Sequence, residues 1–561
     1  MSLMAAVFLI LQSASPFQQP GQTQNTKASM EGFVVRAGTN EPVSRARIMA
    51  IRTAGPGAAP IQPSGSSPNI PVVTTDNQGH FTIKDLEPGS YLVSAQRNGF
   101  ARQTYGERRP GRPGTPLNII DGQALKDMVF RLIPAGAVSG QVSDATGEPI
   151  AGMTVQMVRS IYGQNGKRTF QTVDSARTND RGEYRIYWIT PGRYYVNASP
   201  RPIVPIFPTT NEVVEPGYVL TYYPGTSDPS TAEAIEVQPG AELSTIDFTL
   251  TQQPLFRVRG RVFDARTGQF PRNASVSLNP RTPTGGFNFA TNPVNYNPVN
   301  GTFELRDVPS GSYWVRAIAV DPRAGFTPAD MARNSVQVAV EVGNADVENV
   351  VLALTSGFQI TGRVVLEGAP LSSLPDIERT RVFLIPSAPL PFGSPPQQVK
   401  ADGTFTLENI PPGEYRVNVN LPPNTFIQSA RLGQTDVSAG LTISGPVSET
   451  LEIVLSTRSG QIDGTVVNND QKPMQGVQAI LIPDRQRERR DLYKFGMSDQ
   501  NGHFTMRTVA PGDYKLFAWE DLEPEAYNDP EIVRQYEARA SPVKVLESSK
   551  LTVEVKVIPE N

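Results

Sequence analysis

The sequence predicts an all-β protein of five tandem antiparallel β-sandwich domains in an elongated array. Three observations carry this reading. One motif recurs five times at near-constant spacing, apolar residues alternate with period 2 inside each copy, and 51 prolines and 47 glycines among 561 residues cut the chain into short segments. At 38% hydrophobic composition the chain still has enough apolar side chains to bury cores, so the proline and glycine mark turns rather than disorder.

The motif reads GHFTIKDLEPGSY at Gly79–Tyr91, GEYRIYWITPGRY at Gly182–Tyr194, GTFELRDVPSGSY at Gly301–Tyr313, GTFTLENIPPGEY at Gly403–Tyr415 and GHFTMRTVAPGDY at Gly502–Tyr514. Each unit opens with a glycine-centred strand, at Gly32, Gly140, Gly260, Gly362 and Gly464, and closes with an alternating apolar strand such as Met128/Phe130/Leu132 or Leu451/Ile453/Leu455. The units are 29–134, 135–252, 253–355, 356–457 and 458–561, each a single-domain length. In the first, strands are predicted near Glu31–Arg36, Arg45–Ile51, Val72–Thr75, His80–Lys84, Tyr91–Gln96, Leu117–Ile120 and Lys126–Ile133, which is sandwich-like. An odd strand number puts a unit's termini at opposite poles, so the units should line up.

Turn chemistry supports the strands. Asp76–Gly79 suits a hairpin turn whose glycine takes positive φ. Pro88-Gly89 suits a type II turn with positive φ at the glycine. Tyr91, Tyr194, Tyr313, Tyr415 and Tyr514 then read as structural, each covering the end of a core while its hydroxyl bonds to nearby backbone as in a tyrosine corner. Helix is nearly absent, with candidates only at Pro328–Asn334 and Pro530–Ala540.

At the N-terminus, Leu3–Leu11 is a nine-residue apolar run followed by QSAS, which reads as the core of a signal peptide over 1–15, with a polar linker at 16–28. The expected location is secreted or periplasmic. No transmembrane anchor is expected, because no later run approaches the ~20 residues a span needs. With 51 Lys+Arg against 54 Asp+Glu, the net charge of -3 gives no reason to expect nucleic-acid binding.

Given the G-x-F/Y…P-G-x-Y signature, the G-x-V opening strand and a proline such as Pro42, Pro149 or Pro473 after a turn, the chain resembles tandem carboxypeptidase regulatory-like domains. These are similar to the transthyretin-like (prealbumin-like) accessory domain of zinc carboxypeptidases and, more distantly, to Cna-B and starch-binding-type sandwiches with a carbohydrate-binding-like fold. The resemblance implies non-catalytic modules on secreted enzymes and receptors, not peptidase activity.

The residue inventory agrees. There is no cysteine, and the two histidines, His80 and His503, occupy the same repeat position in different units with Ile83 and Met506 where a His-x-x-Glu zinc site needs glutamate. A serine triad lacks its base and its Gly-x-Ser-x-Gly elbow. The acidic turns lack the ligand density of a calcium loop, and the opening strands hold no lysine for an isopeptide bond. No catalytic residue, metal or cofactor is therefore expected. Aromatics predicted to lie off the core face are the remaining lead: Trp188, Tyr195, Trp314, Phe517 and Trp519, with Tyr222 and Tyr223 in a long loop. They either contact a ligand or partner, or fill gaps under loops and domain interfaces. The basic runs Glu107–Arg112 and Arg485–Arg490 read as solvated loop tips. The expected function is an exported, non-catalytic scaffold that binds an extracellular glycan or protein; the alternatives are a carbohydrate-binding protein stacking glycans on these aromatics, or an accessory subunit of a secreted peptidase.

Overall fold

The computed structural model describes residues 27–53, 70–163, 165–200, 217–281, 295–319, 335–354, 357–375, 377–387 and 394–559. The expected signal peptide, most of the expected linker and the helix candidate Pro328–Asn334 lie outside the described residues.

Alternation in the first unit becomes eight strands: β1 (Ala28–Arg36), β2 (Arg47–Thr53), β3 (Val72–Thr74), β4 (His80–Leu86), β5 (Gly89–Gln96), β6 (Gln103–Thr104), β7 (Leu117–Ile119) and β8 (Ala124–Leu132). One sheet has the order β4-β1-β8; the other runs β3-β2-β5-β6, with β7 also paired to β5. Their facing sides bury Met30, Val34, Ile48, Phe81, Val93 and Phe130. β1 buries every second residue over its first seven positions, the pattern of a strand with one face on a core.

The same plan repeats. In every unit the opening strand lies between the strand after the turn glycine, antiparallel to it, and the closing strand, parallel to it. This parallel pair departs from a purely antiparallel sheet, and it sends a unit's two ends to opposite poles. Close approach explains the opening glycines. A Cβ at Gly32, Gly140 or Gly260 would collide with the carbonyl of Met128, Ile246 or Val350 on the closing strand, and at Gly362 or Gly464 with the ring of Phe405 or Phe504. Among the described residues each unit has its own main hydrophobic core, and unit 5 carries a second, smaller one.

The recurring signature is structural. The turn glycines Gly79, Gly182, Gly301, Gly403 and Gly502 all have φ between 69° and 84°, the left-handed region where a Cβ is disfavoured. All five motif tyrosines donate their hydroxyl to the carbonyl four residues upstream, on Glu87, Thr190, Pro309, Pro411 and Ala510, at 2.6–3.1 Å. Burial raises each of these phenols, those of Tyr313, Tyr415 and Tyr514 to about 12.

The Pro-Gly segment differs from the type II expectation. Gly89 has φ 154° and begins a strand, and Gly413 and Gly512 are not in the positive region at all. The left-handed residue lies four positions earlier, at Asp85, Trp188, Asp307, Asn409 and Thr508, with φ of 56–61°. Each sits where pairing to the opening strand slips by one residue, so each motif strand carries a β-bulge.

The array is curved. Among the described residues unit 5 returns to unit 1. Gln500 Oε1 accepts from the Asn118 amide at 3.1 Å while its Nε2 donates to the Asn118 carbonyl at 2.9 Å, and Asn118 Nδ2 donates to Asp499 at 2.9 Å. Asp521, almost fully buried, pairs with Arg109 at 3.3 Å and Arg112 at 2.6 Å, and Glu520 pairs with Arg108. Both basic runs thus correct their reading as solvated tips. Glu107–Arg112 clamps unit 5, and in the second run Arg489 is buried between Asp491 and the carbonyl of Ile427 in unit 4.

Candidate binding cleft

The candidate site is built by the bulge in unit 2. In a regular strand, neighbours point to opposite faces. Here the strand Glu183–Ile189 slips register between Tyr187 and Ile189, and left-handed Trp188 (φ 59°) absorbs the extra residue. Tyr187 and Trp188 are both turned out to solvent, each 54% exposed, with ring centroids 5.1 Å apart at 89°. The same two positions in the other units hold Lys84-Asp85, Arg306-Asp307, Glu408-Asn409 and Arg507-Thr508, so unit 2 is the copy that places two aromatic rings on this bulge.

These rings form one side of a 470 Å³ cleft between units 1 and 2. The opposite wall is the end of β5 and the segment after it, including Gln96, Arg97, Asn98 and Arg102. It is pinned to the connector between the units: Ala101 N donates to Ile133 O at 2.8 Å and Ala135 N to Gly99 O at 2.9 Å. Arg185 on the aromatic side is paired with Glu242 at 2.9 Å. Arg102 donates to Ser94 Oγ at 3.2 Å and feels the Glu107 carboxylate at longer range; among the described residues neither Arg97 nor Arg102 forms a close ion pair. The cleft therefore offers two exposed aromatic rings set at right angles, two planar amides and two guanidinium groups without a close ion pair. No residue in it is arranged as a nucleophile–base pair.

Of the aromatics singled out from sequence, Trp188 alone enters this cleft. Tyr195 is half-buried with its ring 5.0 Å from Phe170, and Trp314 is half-buried beneath Arg281 at 5.3 Å. Phe517 and Trp519 share the outer face of their sheet as expected but are buried, which corrects their reading as exposed. They stack at 4.7 Å and 3° in a second small core, covered by helix α1 (Pro530–Tyr536) with Val533 and Tyr536. Tyr222 is likewise fully buried, beside Phe170, so it is no surface contact; Tyr223 is half-buried against Phe248 at 6.0 Å. Tyr187 was missed because alternation alone assigns the bulge no extra residue.

The histidines sit apart in ordinary strand surroundings, His80 at 5.1 Å from the Phe33 ring and His503 Nδ1 at 2.9 Å from Thr465 Oγ1. Among the described residues no group of three or more His, Asp or Glu is placed to hold a metal ion, and no helix is long and apolar enough to cross a membrane.

The carboxypeptidase regulatory-like domain model matches residues 29–120 and 137–203, which covers most of unit 1 and the motif-bearing part of unit 2. No curated protein matches the chain. Among solved structures the chain is similar to GBS52, the minor pilin of Streptococcus agalactiae, at 12% identity, covering 41% of this chain and 97% of the pilin with a TM-score of 0.23. It is also similar to BcpA, the major pilin subunit of Bacillus cereus, at 11% identity (75% and 98% covered, TM-score 0.13), and to the Bacillus anthracis TIE protein at 9% identity (78% and 76% covered, TM-score 0.15). At these scores the likenesses carry no argument about function.

Proposed function

We propose that this chain is an exported, non-catalytic multidomain scaffold that presents a ligand-binding cleft between its first two carboxypeptidase regulatory-like domains. The observation that carries the reading is the outward Tyr187–Trp188 pair, held on a bulged strand beside a 470 Å³ cleft. Two adjacent exposed aromatic rings beside a cleft form a surface suited to covering by a ligand or partner. The motif residues support a scaffold, since the repeated glycines and tyrosines are engaged in turns and backbone hydrogen bonds. Export rests on the Leu3–Leu11 run.

Two measurements test this. The purified chain, with and without Zn²⁺, is expected to turn over no peptide, ester or glycoside; hydrolysis that survives repurification would overturn the non-catalytic reading. On an array of neutral and charged glycans, the wild type is expected to be retained and Trp188→Ala not; equal retention of the two removes the cleft from the proposal. Export is checked by the N-terminal mass of the protein recovered from the extracellular or periplasmic fraction.

A further inference from the structure

Resting on that reading of the cleft, we infer that its ligand is an anionic saccharide: a chain of carboxylate-bearing pyranose rings that stacks on Trp188 and Tyr187 and sets its carboxylates on Arg97 and Arg102. The aromatic side supplies flat, apolar faces matched to the C–H face of a sugar ring. The facing wall supplies Gln96 and Asn98, whose amides both donate and accept and so suit vicinal hydroxyls. Charge then selects among saccharides. Arg185 is already paired with Glu242, whereas Arg97 and Arg102 form no close ion pair among the described residues, Glu107 acting on Arg102 only at longer range, and Asp174 is the one acid on the lining. A guanidinium fork binds a carboxylate through two parallel hydrogen bonds. The volume of 470 Å³ lies within the ~300–1,000 Å³ typical of small-ligand sites.

An acidic peptide fits the cleft less well. Glu183–Ile189 is an edge strand of its sheet, but the bulge at Trp188 interrupts the row of backbone donors and acceptors that an added strand would pair with.

Tryptophan fluorescence provides the test, because of the three tryptophans Trp519 is buried and Trp314 half-buried while Trp188 faces the cleft. The full chain is titrated with a galacturonic acid hexamer, its methyl ester, a neutral glucose hexamer and poly-glutamate. The acid hexamer is expected to quench the emission in a saturable way. Because Trp188→Ala lacks the reporter, its binding is read by isothermal titration calorimetry, where it is expected to be lost; Arg97→Gln with Arg102→Gln weakens binding by about tenfold or more, as does raising the salt. The methyl ester should behave like the neutral hexamer. Far-ultraviolet circular dichroism confirms that the surface variants remain folded. Absence of binding by the acid hexamer overturns the inference, and so does equal binding of poly-glutamate. Tight binding of the neutral hexamer that is lost in Trp188→Ala overturns the anionic assignment while leaving the proposed cleft standing.

Discussion

At Thr508 a β-branched residue holds φ 56°, a conformation that L-residues with branched side chains disfavour. Its counterparts Asp85, Asp307 and Asn409 are types that tolerate it, and Trp188 is the other exception. Thr508→Asn is therefore expected to stabilise unit 5 by about 0.5–1 kcal/mol, measured as slower amide exchange along His503–Val509. A second prediction concerns the tyrosines. Burial raises the phenols of Tyr313, Tyr415 and Tyr514 to about 12 from the ordinary value near 10. The unfolded chain thus releases these protons first as pH rises. Their contribution is full below pH 10 and drains away towards pH 12, so the urea midpoint should fall across that window, and less so in Tyr415→Phe. The turn glycines and corner tyrosines were legible in sequence because each backbone geometry admits few residue types. The bulge was not, because Asp, Trp, Asn and Thr all occupy it.

Strands were legible as elements because alternation reports directly which side chains share a face. The seven expected in unit 1 are present with ends shifted by a few residues, and only the two-residue β6 was missed. Alternation does not say what covers the outer face. Phe517 and Trp519 lie on the face of their sheet away from the unit's main core, and the chain returns after Trp519 to lay α1 across them. Trp519→Ala is accordingly expected to act on stability and not on ligand binding. Emptying this small core should cost about 3–5 kcal/mol, read as early loss of protection in α1 and the strand Gly512–Trp519, with retention on glycans unchanged.

Across the whole molecule, the fivefold order was legible but its curvature was not, since Arg112 and Asp521 lie some four hundred residues apart and no local pattern links them. The clamp makes a definite claim about shape. Asp521→Lys puts a like charge against Arg109 and Arg112 at a nearly buried position, where salt screens poorly. Unit 5 should then part from unit 1, and small-angle scattering should show a larger radius of gyration in the variant; an unchanged profile would mean the ionic contacts do not hold the curve closed.

The parallel pairing of each unit's first and last strands also bears on mechanics. Tension applied at the two ends of a unit runs in opposite directions along β1 and β8, or their equivalents, and loads all their shared hydrogen bonds at once instead of peeling them one by one. In a single-molecule stretching experiment, the clamp between the terminal units should yield first, at low load. The five sandwiches should then give way one after another at distinctly higher force, so the geometry that orders the repeats also equips them to bear strain.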